Sequence, residues 1–251
     1  RHRGDNGLRL LEIVPCSDTD PQVVNSLADF ISRRLGKGIV YAKDTANFIA
    51  NRIGVYAIFK GIEHMLALDL TVEEVDSISG PATGRPKSAA FRTSDLVGLD
   101  TLVHVGNNSY EMLPDDEERE VFKLPGFLAR MIERGLLGDK SGQGFYRKEK
   151  VDGKRQILFY DYKTGDYQPA QKPKFPSVQS TKQIDDPGQR IQTILASKDK
   201  GAEFAWYGLR DTLLYTVKRI PEIADDVVNI DNAMRWGFNW EIGPFEMLDA
   251  I

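Results

Sequence analysis

Two residues of this chain stand where chemistry could use them and simple packing would not choose them. Glu12 lies in the middle of "LRLLEIVP", residues 8–15, a run that reads as an interior β-strand. An unpartnered buried carboxylate is costly and tends to neutralise, so the position asks for a cation or a histidine. Taken alone, the stretch fits an edge strand that turns Glu12 to water equally well. Asn51 is the second. On a helix it precedes Val55, Ile58 and Ile62 by one, two and three turns, so its amide projects from an apolar stripe. A bound carbonyl would satisfy that amide, and so would a neighbouring loop.

The other reactive side chains point away from metal or thiol chemistry. His64 and His104 have no acid or cysteine at ligand spacing and read as packing or surface residues, and His2 sits in the irregular opening "RHRGDNG". No metal site is expected. Cys16, the single cysteine, cannot form an internal disulfide; it suits a reducing compartment and excludes a cysteine-based zinc site. The acidic run Asp115, Asp116, Glu117 and Glu118 reads as a solvated helix start with favourable dipole sign. With 33 Lys+Arg against 37 Asp+Glu, a broad nucleic-acid surface is not expected. The most apolar helical stretch, "IGVYAIFKGIEHMLALDL", is interrupted by Lys60, Glu63 and His64 and cannot span a bilayer. No signal peptide is evident, so a cytoplasmic location is expected. The chain opens on Arg1, and residues 1–7 read as vector sequence or a cut end.

The elements that must hold Glu12 and Asn51 follow from periodicity. After the Glu12 strand, "SDTDPQVVNSLADFISRRLG" supplies capping residues, a proline, apolar residues at helical spacing and a terminal glycine; "GIVYAK" then reads as a second strand. Strand, helix, strand is one crossover unit of a parallel sheet, so residues 1–44 look like the tail of a larger α/β domain. From Asp44 a long helix with an Asp or Thr cap is expected, then another opened by Thr71 and Glu74 as a capping box. "GLLGDKSGQGFY" reads as a loop ending in an aromatic anchor and not as a phosphate loop. "KRQILFYDYKTGDYQPA" reads as a β-hairpin, the Pro-punctuated stretch after it as a linker, and helix returns from about Gln189.

The two helical stretches resemble each other. A helix containing Phe48 is followed by Asp76, "GRP" and Asp95; a helix containing Phe204 is followed by Asp231, "IGP" and Asp249. Two such units would pack about a pseudo-twofold axis as a homodimer does. Counting 25 residues back from Asp76 gives Asn51, and the same count from Asp231 gives Trp206. Trp206 is therefore expected to be buried against the first unit in place of a second protomer.

Five blocks, "LRLLEIVP", "LGKGIVYAKDTANFIANRIG", "VDSISGPATGRPKSAAFRTSDLVGLD", "GLLGDKSGQGFY" and "IDNAMRWGFNWEIGPFEMLDAI", resemble in their order L-3-hydroxyacyl-CoA dehydrogenase. They are similar in particular to the form with tandem C-terminal helical domains, often fused to an enoyl-CoA hydratase. The resemblance runs from Leu8 to Ile251. It implies a mainly α fold: two tandem 6-phosphogluconate-dehydrogenase-C-terminal-like helical domains, residues 45–146 and a truncated second repeat at 189–251. A strand-helix-strand remnant of a Rossmann domain, residues 1–44, precedes them, and a β-hairpin with linker, 147–188, lies between. In that family a His stands twelve residues before the Glu. Here that place falls just before Arg1, and residues 1–7 do not match, so His2 is not assigned the role.

By resemblance, Glu12 is the carboxylate that orients the catalytic His, and Asn51 is the active-site asparagine beside the substrate. The implied chemistry is oxidation of a 3-hydroxyacyl-CoA to the 3-ketoacyl-CoA in fatty-acid β-oxidation: His takes the hydroxyl proton and hydride passes to NAD. The NAD site itself belongs to an N-terminal domain that precedes Glu12 in the family, so this stretch alone is expected to be inactive. The alternative is a non-catalytic helical module for assembly or acyl-CoA binding. An intramolecular pseudo-dimer is implied, with a homodimer of the whole left open.

Overall fold

Strand β1 (Leu10–Ile13) and strand β2 (Gly38–Tyr41) pair in parallel, with Glu12 opposite Val40. The computed structural model that shows this describes residues 9–151 and 154–251, so His2 and the opening residues lie outside it. Helix α1 (Pro21–Leu35) makes the crossover. Asp20 caps it by accepting from Gln22 N at 2.8 Å, Pro21 opens it, and Gly36 ends it in the left-handed region at φ 64°. Its apolar residues Val23, Leu27, Phe30 and Leu35 are each at least half exposed.

Helix α2 (Ala50–Ala67) is the axis around which the other helices pack. It leads into α3 (Val72–Ile78), where Thr71 and Glu74 form the expected capping box, and then α4 (Phe91–Val97), α5 (Leu99–Met112) and α6 (Gly126–Glu133). The C-terminal stretch supplies α8 (Pro187–Leu195), α9 (Lys200–Lys218), α10 (Val227–Gly237) and α11 (Pro244–Ala250), after a short α7 (Pro176–Ser180). Among helix pairs, α2 and α9 pack most extensively. The buried apolar residues fall into two clusters. One gathers α2 to α6 around Phe59, Phe122 and Phe145; the other joins Leu10 and Val40 of the strand pair to Ile53 of α2 and to Leu213, Ile230 and Met234.

The strand pair is covered by α10. Asn229 Oδ1 accepts from Tyr41 N at 2.8 Å, and the Trp236 ring fills the space where a Cβ on Gly38 would lie, 2.3 Å from it. Seven residues of helix and three of strand both advance about 10 Å, so the two contacts keep step along their elements. This is why position 38 must be glycine.

The expected hairpin is present as β4 (Lys154–Asp161) and β5 (Asp166–Pro169), and a strand the sequence reading missed, β3 (Tyr146–Val151), pairs with β4 to make a three-stranded antiparallel sheet. β3 carries the charged string "RKEK", which hides its strand character because its outer face is solvated. The supposed linker includes α7, whose buried Ser177 is bonded by N and Oγ to Asp199 at 2.8 and 2.6 Å, ahead of α9.

The paired aspartates do matching work. Asp76 accepts from the backbone N–H groups of Ala90, Phe91 and Arg92 at 3.1, 2.7 and 3.0 Å, at the start of α4. Asp231 accepts from Phe245 and Glu246 at 2.8 and 3.2 Å, at the start of α11. Each holds donors that a helix cannot satisfy internally. Asp95 and Asp249 differ: Asp95 is buried and accepts from Phe145 N and Tyr146 N, whereas Asp249 is exposed.

Candidate functional site

Helix α2 begins at Ala50, four or five residues later than a cap at Thr45 or Asp44 would place it, and it has no side-chain cap of its own. Glu12 supplies one from the strand. Its Oε1 accepts from Ile49 N at 2.9 Å and from Ala50 N at 3.0 Å. The carboxylate is thus half-buried and partnered by backbone amides, at the positive end of the helix. Burial lifts its pKa above the ordinary carboxylate value, against the pull of the two backbone bonds. Both bonds fall on one oxygen.

Between β2 and α2 the chain turns through two left-handed residues, Asn47 at φ 65° and Phe48 at φ 51°. Asparagine tolerates that conformation better than most residues. Asn47 also ties the turn to α5, donating from Nδ2 to Ser109 Oγ at 2.7 Å and to Val105 O at 3.3 Å. Phe48 is therefore in the turn and not in the helix, and it is partly exposed.

Asn51 is the second residue of α2 and is exposed, next to the Ala50 amide that Glu12 holds. The sequence picks out Glu12 and Asn51 separately; the fold brings them to one helix end. His64 lies in the interior, its Nε2 2.7 Å from Asp211 Oδ2 across the α2–α9 contact, and His104 is exposed. His64 is near the end of α2 opposite Glu12, and His104 is in α5.

The acidic run is not a solvated helix start. Asp116 is buried, and its Oδ2 lies 2.7 Å from Arg52 Nη2, 2.7 Å from Tyr215 Oη and 3.3 Å from Arg219 Nη1. Glu117 pairs with Arg219 through both oxygens, at 2.7 and 2.6 Å. The run precedes a short 3-10 turn at Arg119–Phe122 and folds back onto the α2–α9 interface, where two arginines neutralise it. Arg52 is itself fully buried. Its signal is present in the sequence: it shares a face with Tyr56 and Phe59, four and seven residues on, where a cation must be paired.

Trp206 also departs from expectation, being 48% exposed. Phe48 and Phe204 are 156 residues apart but Asp76 and Asp231 are 155 apart, so a count from the aspartates slips by one residue. One residue turns a helical position by about 100°. The aromatic contacts with the first stretch are made instead by Tyr215, which stacks on Tyr56, and by Phe238, which abuts Gly54.

Among the described residues no cluster of His, Cys, Asp and Glu could hold a metal ion. The chain contains no G-x-G-x-x-G loop. No helix among them is long and apolar enough to cross a membrane.

Residues 48–148 match the family model described as "3-hydroxyacyl-CoA dehydrogenase, C-terminal domain". A probable 3-hydroxyacyl-CoA dehydrogenase of Bacillus subtilis is 48% identical over 244 residues, which is 97% of this chain and 30% of that protein. A 3-hydroxybutyryl-CoA dehydrogenase of Mycobacterium tuberculosis is 35% identical over 139 residues, 55% of this chain and 47% of the other. The chain spans less than half the length of these relatives. The crystal structure of 3-hydroxybutyryl-CoA dehydrogenase from Escherichia coli superposes with a TM-score of 0.61 over 95% of this chain and 60% of that one, at 18% identity, a likeness of fold. On these matches residues 48–148 are similar to the C-terminal domain of the 3-hydroxyacyl-CoA dehydrogenases.

Proposed function

We propose that this chain is the substrate-side part of an NAD-dependent L-3-hydroxyacyl-CoA dehydrogenase that converts 3-hydroxyacyl-CoA to 3-ketoacyl-CoA in fatty-acid β-oxidation. The observation that carries the reading is the bonding of Glu12 to Ile49 N and Ala50 N, which sets a carboxylate beside the exposed amide of Asn51. In this reading Glu12 orients and stabilises an imidazolium formed on a histidine outside the described residues. Asn51 donates to an oxygen of the bound substrate, and NAD, held by residues outside this chain, accepts the hydride. The names of the relatives favour this over a non-catalytic assembly or acyl-CoA-binding module. A cytoplasmic enzyme is proposed.

The organisation we propose is a Rossmann tail at residues 1–44, a first helical domain at 45–146, the sheet and its connection at 147–188, and a second, truncated helical repeat at 189–251. The matching Asp76 and Asp231 caps support the duplication, and the close packing of α2 on α9 supports an intramolecular pseudo-dimer. Whether the complete enzyme also dimerises would be read from its mass in solution.

Asn51→Ala in the complete enzyme tests the assignment. Losing a substrate hydrogen bond worth about 1 kcal/mol, plus the unpaired oxygen left behind, should lower kcat/KM about 10-fold or more. The thermal midpoint should hardly change, because the side chain is exposed. Unaltered kinetics would remove Asn51 from the site. The 251-residue chain alone should show no turnover with NAD and a 3-hydroxyacyl-CoA.

A further inference from the structure

The residue after Asn51 is the fully buried Arg52, and its partners come from far along the chain. Its Nε donates to Tyr215 Oη at 2.6 Å, and its Nη2 lies 2.7 Å from Asp116 and 2.9 Å from Glu222. Arg219 closes the network, reaching Asp116 at 3.3 Å and Glu222 at 3.0 Å. Tyr215 and Tyr56 stack with ring centroids 3.7 Å apart and planes 3° from parallel, so α9 is keyed to α2 both by charge and by shape. Tyr215, Arg219 and Glu222 all belong to the C-terminal stretch; Arg52 and Asp116 lie in the stretch that matches the family model.

A buried ion network of this kind contributes little net stability compared with apolar packing, because desolvation offsets attraction. Its geometric demands are strict, however: a planar guanidinium with an oxygen at both Nε and Nη2 has one orientation. That orientation fixes the first turn of α2, which also presents Asn51 and the Ala50 N–H that Glu12 accepts from. We infer that Tyr215 and Arg219 are positioning residues for the substrate-facing turn of α2, acting through Arg52 and Asp116. The second helical stretch then bears on the reaction through the first: it sets the angle at which Asn51 meets the substrate. This rests on Asn51 being the substrate contact proposed above.

The test uses the complete enzyme with Tyr215→Phe, which removes one hydroxyl and keeps the stacked ring, and with Arg219→Met and Arg219→Lys. Each is made in the wild-type and in the Asn51→Ala background, and kinetics are measured well below the thermal midpoint. Tyr215→Phe should raise KM and lower kcat/KM about 10-fold, with Arg219→Lys recovering part of what Arg219→Met loses. In the Asn51→Ala background the same substitutions should change kcat/KM less than about 2-fold, since the group they position is gone. Equal losses in both backgrounds, or no loss in either, overturn the inference. If Arg219→Met fails to fold, the Tyr215→Phe pair decides alone. Should Asn51→Ala itself leave kcat/KM unchanged, the functional reading fails first.

Discussion

Replacing Glu12 separates its structural role from its chemical one, because the two use different properties of the side chain. The cap needs an acceptor oxygen: Ile49 N and Ala50 N both bond to Oε1. Glutamine offers a carbonyl oxygen in the same place, so Glu12→Gln should keep both bonds. Losing a negative charge at a helix N-terminus costs about 0.3–1 kcal/mol, offset by relief from burying that charge, so the net change should stay within about 1 kcal/mol. Glu12→Ala removes the acceptor altogether and should cost about 1–2 kcal/mol, as lost caps do. In the complete enzyme both variants lose the anion that steadies an imidazolium, and turnover should fall roughly 10²–10⁴-fold. The pH dependence adds a signed check. Because Glu12 has a raised pKa in the folded state, its contribution is present at low pH and is lost as pH rises through that value. Glu12→Gln should therefore gain stability relative to wild type as pH rises. Thermal unfolding across pH, with steady-state rates on the complete enzyme, measures all of this. A glutamine variant as destabilised as the alanine variant would refute the cap argument; one with wild-type turnover would refute the chemical role.

Further substitutions probe the frame around the site. Gly138 has φ 93° and ψ −152°, and a Cβ there would lie 2.4 Å from Asp95 O, whereas Gly142 has φ 76° and open space around it. Strain and a backbone clash should make Gly138→Ala cost more than about 3 kcal/mol, against about 1 for Gly142→Ala, and equal urea midpoints for the two would contradict this. Trp206→Ala should change stability by about 1 kcal/mol or less, since the ring is largely in solvent, and a loss of about 3–5 kcal/mol in thermal unfolding would restore the buried reading. Burial lifts Asp76 to about 7, opposed by its bonds from Phe91, Tyr146, Arg92 and Ala90, so its contribution is full below about 4 and fades as pH approaches 7. The stability difference between wild type and Asp76→Asn should shrink over that range, and a constant difference would speak against the raised value.

How much of the fold and site is legible in the sequence depends on the range of the interactions involved. The Thr71–Glu74 capping box and the Gly36 stop are local patterns and can be read directly. Glu12 is legible as an anomaly, but its partners are not, because nothing in "LRLLEIVP" announces amides at residues 49 and 50. The acidic run misleads for the same reason: Asp116 is neutralised by Arg52 and Arg219, which are 64 and 103 residues away. Trp206 fails through register, since a helix converts a slip of one residue into the opposite decision about burial. β3 is hidden by its solvent-facing charges.

The Asp231 cap has a consequence for how far the chain can be shortened. The carboxylate is buried, and its pKa is lifted to about 6 by that burial, with the N–H groups of Phe245 and Glu246 offsetting part of the cost. Cleavage before Pro244 would remove both donors together with Met247, which is fully buried. Eight residues would be lost, but the damage would reach α10, left with an orphaned carboxylate and a vacant apolar hole. α10 in turn holds Tyr41 and Gly38 of the strand pair from which Glu12 reaches α2. Cutting before α11 would thus be felt at β1 and β2, more than 200 residues earlier, and α11 behaves as a keystone and not as a trimmable segment.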